Sequence, residues 1–222
     1  VHARIDGRPK GADIEFDLVT VGGTENILMA ACLAEGTTHI INAAREPEVV
    51  DLANFLNAMG AEITGQGTAV IAVEGVAQLR GCEYSVMPDR VETGTYLIAV
   101  AATGGRVKLH NAEPSTLEAV IEKLRASGAQ VQVDGNTIEL DMHGKRPLAV
   151  DIETAVYPGF PTDMQAQYLA MNAVAVGDSL VTETIFENRF MHVQEINRLG
   201  ADIHIRNAST AVVHGVATLS AA

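Results

Sequence analysis

The 222-residue chain has no tryptophan, only 4% aromatic residues and two cysteines. Cys32 and Cys82 are too few for a disulfide framework and show no metal-ligand spacing, so both read as plain reduced thiols and no metal is expected. Basic residues are scarce: 15 Lys and Arg stand against 28 Asp and Glu, for a formal charge of −13. That balance leaves no electrostatic footprint for nucleic acid, and an anionic ligand would have to be held by local donors rather than by the overall field. Long hydrophobic runs are missing too. The longest, Ile27–Ala34, falls far short of the roughly 18–20 residues a membrane helix needs. No basic leader with a cleavage site opens the chain, so no membrane partner is expected and the chain reads as cytoplasmic. HExxH is absent, and no spacing suggests a Ser-His-Asp order. The seven histidines are scattered and read as surface or packing residues. Gly65-Gln66-Gly67 is a lone GxG and reads as a turn between strands. Asn207-Ala208-Ser209 matches a glycosylation pattern that carries no weight without a secretion signal.

What the chain does have is a threefold internal repeat. Gly36, Gly105 and Gly177 each close an apolar stretch, and Gly-Ala pairs follow at 60–61, 128–129 and 200–201, a period of 68 and then 72 residues. Solenoid repeats recur at roughly 20–50 residues, so the unit must be a larger supersecondary block. In the first unit Ala12–Phe16 alternates like a strand, Thr24–Glu35 reads as a helix and Thr38–Ile41 as a second strand. A helix over Pro47–Met59 follows, because Val49, Leu52, Ala53, Leu56 and Met59 share one face, and Gly60 ends it. Strands at Glu62–Thr64 and Val70–Glu74 close the unit. The second unit reads as strand Tyr84–Met87, helix Thr93–Thr103, strand Val107–His110, helix Pro114–Ser127 and strands Gln130–Val133 and Thr137–Leu140. The third runs from strand Leu148–Ile152 to Ala211–His214. The pattern β-α-β-α-β-β predicts an α/β fold in which strands joined through helices pair in parallel. Val1–Ile5 reads as a strand already in progress, and with no initial methionine the chain looks like a piece of a longer polypeptide.

Three stretches could carry chemistry. Leu18-Val19-Thr20-Val21-Gly22-Gly23-Thr24 is a glycine-bearing turn into a helix. It is either an ordinary connection or a place where backbone N–H groups and the helix dipole receive a diphosphate. In Pro158–Gln165, Thr162 and Gln165 have capping-box spacing, which puts Asp163 in the first helical turn. That carboxylate either serves helix-end electrostatics or accepts the proton of an attacking substrate hydroxyl. Glu183–His192 crowds ionisable groups at a strand-to-helix junction, where they line a cleft or solvate a loop; ligands in open α/β folds bind where strands end and helices begin.

The segments Asn42–Glu48, Pro88–Thr95, Asp141–Pro147, Phe160–Gln167 and Glu183–His192, in that order, closely resemble the bacterial UDP-N-acetylglucosamine 1-carboxyvinyltransferases, a family of enolpyruvyl transferases. The resemblance covers essentially the whole chain. It implies transfer of the enolpyruvyl group of phosphoenolpyruvate to the sugar's 3-hydroxyl with release of phosphate, the first committed step of peptidoglycan synthesis, with no metal or organic cofactor. The fold it implies is an inside-out α/β barrel of two domains with the substrates between them. Residues 1–87 would then be the last unit of one domain and 88–222 two units of the other.

By the same resemblance, Leu18, Val19, Thr20 and Val21 match the segment that touches the uridine diphosphate. Leu18 stands where the family often has lysine, and Thr20 where it often has serine. Asp163 matches the carboxylate that binds the 3-hydroxyl and acts as its base, Ile185 a neighbouring sugar-nucleotide contact, and Arg189 an arginine near the cleft. The family's cysteine, on a mobile loop, matches neither Cys32 nor Cys82. Its Lys-Asn pair and the arginines that grip phosphoenolpyruvate are likewise unmatched, so this chain alone is expected to be inactive. Two other readings remain: a 5-enolpyruvylshikimate-3-phosphate synthase-like enzyme, and a non-catalytic sugar-nucleotide-binding fragment.

Overall fold

The computed structural model describes residue 2 and residues 4–220. The chain divides into two compact units, Val1–Met87 and Pro88–Ala222.

The first unit contains β1 (Asp13–Glu15), α1 (Val21–Ala31), β2 (Thr37–Ile41), α2 (Pro47–Ala58), β3 (Glu62–Thr64) and β4 (Val70–Glu74). Its sheet has the order β1-β2-β4-β3. β1 and β2 pair in parallel, as strands joined by a helix must, whereas β4 returns antiparallel between β2 and β3. Pro47 opens α2, where its missing N–H costs nothing. Val49, Ala53 and Leu56 from α2 meet Leu28 from α1 and Ile40, Ile71 and Val73 from the sheet in one core. Full burial of such a side chain stabilises by about 1.5–3 kcal/mol.

The second unit contains α3 (Arg90–Ala102), β5 (Arg106–His110), α4 (Glu118–Ala126), β6 (Gln130–Asp134), β7 (Thr137–Asp141), β8 (Ile152–Glu153), α5 (Gln165–Ala173), β9 (Asp178–Thr182), α6 (His192–Arg198), β10 (Asp202–Asn207) and β11 (Thr210–His214). Two sheets form, β5-β7-β6 and β10-β11-β9-β8. One core serves both, with Leu97, Leu124, Leu140, Met164, Tyr168, Val181 and Val213 buried together.

The hydrogen bonds show the repeat directly. The N–H groups of Gly75, Met142 and Gly215 donate to the carbonyls of Gly36, Gly105 and Gly177. Gly60, Gly128 and Gly200 each follow a helix with φ of +99°, +95° and +90°, the left-handed conformation that glycine adopts without a Cβ penalty. Two arginines play equivalent parts that composition does not reveal. Arg8 donates to the carbonyls of Leu33, Ala34 and Val76, and Arg146 to those of Val174, Ala175 and Val216. Each takes up carbonyls just beyond a helix, as a cation at a helix C-terminus should.

Several sequence expectations need correction. Tyr84–Met87 is not a strand; it runs along α2, where the Tyr84 hydroxyl donates to Asp51 Oδ1 at 2.8 Å and its ring lies 5.2 Å from that of Phe55. Contacts with a helix replace the ladder that a strand needs, so the second repeat lacks a leading strand. The third repeat's first strand shrinks to Ile152–Glu153, with Leu148 making an isolated bridge to Val176. The helix expected from Pro114 begins as a 3-10 turn, Pro114–Thr116, before α4. α3 starts at Arg90 because the Asp89 carboxylate accepts from the N–H groups of Val91 and Glu92. The strand expected at Val1–Ile5 falls partly outside the described residues, and Arg4 and Ile5 carry no strand. Among the described residues no helix is long and apolar enough to cross a membrane.

Candidate functional site

In the first unit α1 begins three residues earlier than the sequence suggests, so Gly22 and Gly23 lie inside the helix rather than in a turn. The cause is Thr20, whose hydroxyl accepts from the Gly23 N–H at 3.2 Å. Leu18 and Val21 are exposed, while Val19 packs against the core. The first N–H groups of a helix have no intrahelical partner; Thr20 takes one of them, and Val21 and Gly22 remain exposed. An open depression beside the turn is lined by Glu15 and Asp17. Burial, Glu48 and Glu46 together raise the Glu25 carboxyl above its ordinary range.

In the second unit the loops at the ends of β8 and β9 meet. Thr162–Met164 forms a 3-10 turn leading into α5. The expected capping box does not form, because the Thr162 hydroxyl is engaged elsewhere: it donates to Glu183 Oε2 at 2.9 Å and accepts from Arg189 Nη1 at 2.6 Å. Arg189 Nη2 donates to Asp163 Oδ1 at 2.7 Å. One guanidinium therefore spans Thr162 and Asp163, the planar two-point grip that arginine favours, and lies 5.1 Å from the centre of the Phe186 ring. Asp163 keeps 61% of its side chain exposed, so its carboxylate is open to a ligand.

Glu183 is 1% exposed. Its Oε1 accepts from the Thr154 hydroxyl at 2.8 Å and from the N–H groups of Ile185 and Phe186 at 2.9 and 3.1 Å. With Thr162 on Oε2 that makes four donors, which offset the cost of taking a carboxylate out of water. The structure thus brings together Asp163, Arg189 and the Ile185 backbone, and adds Thr162, which the sequence suggested only as a helix cap, and Glu183, suggested only as one of a crowded stretch. Leu18, Val19, Thr20 and Val21 belong to the other compact unit.

α5 holds Asp163 from behind. Met164 is fully buried against α3, where a Cβ at Gly94 would overlap its Sδ. Gln167 Nε2 donates to the Asp163 carbonyl and to Thr95 Oγ1, both at 3.0 Å. Among the described residues no group of three His, Cys, Asp or Glu is placed to hold a metal ion. Cys32 is buried, and burial pushes its thiol pKa up, which disfavours the reactive thiolate.

His192 closes the loop. Burial and then the Arg189 charge push its imidazole below the ordinary 6.5, and Nε2 is buried without a hydrogen-bond partner among the described residues. The native state thus resists the proton that the unfolded chain takes up near 6.5, so stability falls as pH drops below that value toward the lowered native pKa. His192→Gln is expected to flatten this dependence below about pH 6.5, measured as urea midpoints of the two proteins. An unchanged slope would show that His192 titrates alike in both states.

Comparison with known proteins adds the following. The family model described as EPSP synthase (3-phosphoshikimate 1-carboxyvinyltransferase) matches residues 1–222. A UDP-N-acetylglucosamine 1-carboxyvinyltransferase of Shewanella amazonensis is 59% identical over 222 residues, 100% of this chain and 53% of that protein. Its namesake from Shewanella sp. W3-18-1 is 58% identical with the same coverage. The chain therefore spans about half the length of the curated relatives it matches. Among solved structures, the enolpyruvyl transferase NikO from Streptomyces tendae superposes with a TM-score of 0.78 at 21% identity, covering 87% of this chain and 46% of that one. EPSP synthase from Acinetobacter baumannii gives 0.66 at 19% identity, covering 95% and 50%. These two likenesses concern the fold, which is that of the enolpyruvyl transferases.

Proposed function

The chain belongs to the EPSP synthase family, and on that premise we propose that it works within an enzyme that moves the enolpyruvyl group of phosphoenolpyruvate to the 3-hydroxyl of UDP-N-acetylglucosamine and releases phosphate. The observation that carries this reading is the Asp163 carboxylate, fixed through Oδ1 by Arg189 and otherwise exposed, in a chain 59% identical over its whole length to a protein of that name. Asp163 takes the proton of the 3-hydroxyl as that oxygen bonds to C2 of phosphoenolpyruvate. The C3 methylene gains a proton, giving a tetrahedral adduct, and loss of a C3 proton with departure of phosphate restores the vinyl group. Ile185 contacts the sugar nucleotide beside Asp163. Leu18, Val19, Thr20 and Val21 meet its diphosphate, with the exposed N–H groups at the start of α1 as donors in place of the missing lysine.

Residues 1–87 act as the closing unit of one domain and 88–222 as two units of the second. Phosphoenolpyruvate carries about three negative charges and requires several cations, which the segments matched here do not supply. The 222 residues alone are therefore expected to bind it poorly and not to turn over.

The test is phosphate release from phosphoenolpyruvate by the full-length polypeptide that carries this chain and by the chain alone, each with and without UDP-N-acetylglucosamine. Release by the full-length protein that requires the sugar nucleotide supports the proposal. Release by the isolated chain would overturn its dependence on other segments. The family's name favours one rival, transfer to shikimate 3-phosphate; release that requires that acceptor instead would establish it. Sugar-nucleotide binding without any release would leave a binding fragment.

A further inference from the structure

Position 183 differs from its counterparts in the other two repeats. The N–H groups of Ala43, Ala112 and Glu183 donate to the carbonyls of Ala69, Asn136 and Ser209, each the residue just before the returning strand β4, β7 or β11. The three positions are therefore structurally equivalent, and all are buried, at 2%, 1% and 1% exposure. Two repeats build this place with alanine, so the fold there requires no more than a small apolar side chain. A carboxylate at the third is surplus to folding, and burying one is unfavourable unless its partners compensate. All four of its donors lie in the loops that carry Asp163 and Ile185 or at the neighbouring end of β8.

We propose that Glu183 is a positioning residue for the transfer reaction, a role that rests on the function proposed above. Through Oε2 it holds the Thr162 hydroxyl, which accepts from Arg189 Nη1, and Arg189 Nη2 in turn holds Asp163 Oδ1. Through Oε1 it holds the N–H groups of Ile185 and Phe186, so one buried carboxylate sets both the proton acceptor and the adjacent sugar-nucleotide contact. This network, with its cation Arg189 already held by Thr162 and Asp163, is assigned by the proposal to the sugar nucleotide. Its removal should therefore impair use of the sugar nucleotide and spare that of the other substrate.

The experiment compares wild type, Glu183→Ala, Glu183→Gln, Arg189→Ala and the Glu183→Ala/Arg189→Ala double variant of the full-length polypeptide, by phosphate-release kinetics. Misplacement of about 1 Å can cost about 100-fold. Glu183→Ala is expected to lower kcat/KM for UDP-N-acetylglucosamine by about 10- to 100-fold and raise its KM, with the KM for phosphoenolpyruvate within about twofold. Glu183→Gln keeps Oε1 and should recover part of the loss. Because part of the effect of Glu183 passes through Arg189, adding Glu183→Ala to Arg189→Ala should cost clearly less than Glu183→Ala costs in the wild type, a non-additivity that independent sites do not show.

A Glu183→Ala variant within about twofold of wild type overturns the proposal. So does a fall in kcat with both KM values unchanged and full additivity with Arg189→Ala, the pattern of lost active protein. A readout independent of turnover separates this inference from the functional one. A guanidinium pinned between Thr162 and Asp163 gives resolved Nη resonances for Arg189, and Glu183→Ala should merge them. If wild type proves inactive but the resonances merge, the functional reading fails and the positioning geometry stands; if they do not move, the geometry fails as well.

Discussion

Asp163→Asn is expected to reduce sugar-nucleotide-dependent phosphate release by about 10²- to 10⁴-fold, the usual contribution of a positioned general base. The substitution suits the geometry. Asparagine keeps an Oδ1 that can accept from Arg189 Nη2, now at 2.7 Å, and the side chain is 61% exposed, so packing around the Thr162–Met164 turn is undisturbed. What it removes is the lone pair that takes the hydroxyl proton. The loss should appear in kcat, with KM for UDP-N-acetylglucosamine changed by less than about threefold, because a change confined to the transition state lowers kcat and kcat/KM together. Steady-state kinetics of the full-length polypeptide decide it. Turnover within about tenfold of wild type would remove Asp163 from the chemistry and leave it as a partner for Arg189 alone.

Tyr168→Ala should have the largest effect on stability, a loss of about 3–5 kcal/mol. Tyr168 lies in α5, fully buried, with its ring edge-on to Phe160 at 5.5 Å and its hydroxyl donating to the Lys123 carbonyl at 2.7 Å. The residue thus ties α5 both to the segment before the Thr162–Met164 turn and to the end of α4. Truncation leaves a ring-sized cavity and removes one of two donors to the Lys123 carbonyl, the Ser127 N–H at 3.0 Å remaining. Tyr168→Phe keeps the ring contact and loses only the hydrogen bond, so it should cost about 1 kcal/mol. Urea unfolding of both variants, followed by a probe in residues 88–222, measures the difference. Equal losses would mean that the hydroxyl dominates; a loss below about 1 kcal/mol for the alanine variant would mean that the cavity collapses. Because α5 continues directly from the Thr162–Met164 turn that carries Asp163, the alanine variant should also lower activity at temperatures where it remains folded.

How much of this was legible beforehand can be traced residue by residue. β3 and β4 match the expected spans, and α2 differs by one residue at its end, because a helical face and a hairpin are written in neighbouring residues. The helix-ending glycines were legible for the same reason. Asp163, Ile185 and Arg189 came from motif resemblance, and the structure brings them together in one unit. Tyr84–Met87 misled because alternation alone does not make a strand: a ladder needs a partner edge, and this segment found the side of α2 instead.

The capping box failed at the same level. Thr162 and Gln165 have the right spacing, but Glu183, 21 residues further along, competes for the Thr162 hydroxyl. Glu183 itself could have been noticed by aligning the three repeats, since Ala43 and Ala112 lie seven residues after Gly36 and Gly105, and Glu183 six after Gly177.

By itself, then, the sequence determined the repeated unit, the glycines that follow the second helix of each unit and the residue types available for proton transfer, since these depend on local periodicity and on glycine's conformational freedom. Only the tertiary structure decided that Glu183, Thr162, Arg189 and Asp163 form one chain of hydrogen bonds. Those contacts span 21 to 27 residues and exist because the parallel pairing of β8 with β9 brings two loop-bearing strand ends side by side, a nonlocal arrangement that no short window of sequence encodes.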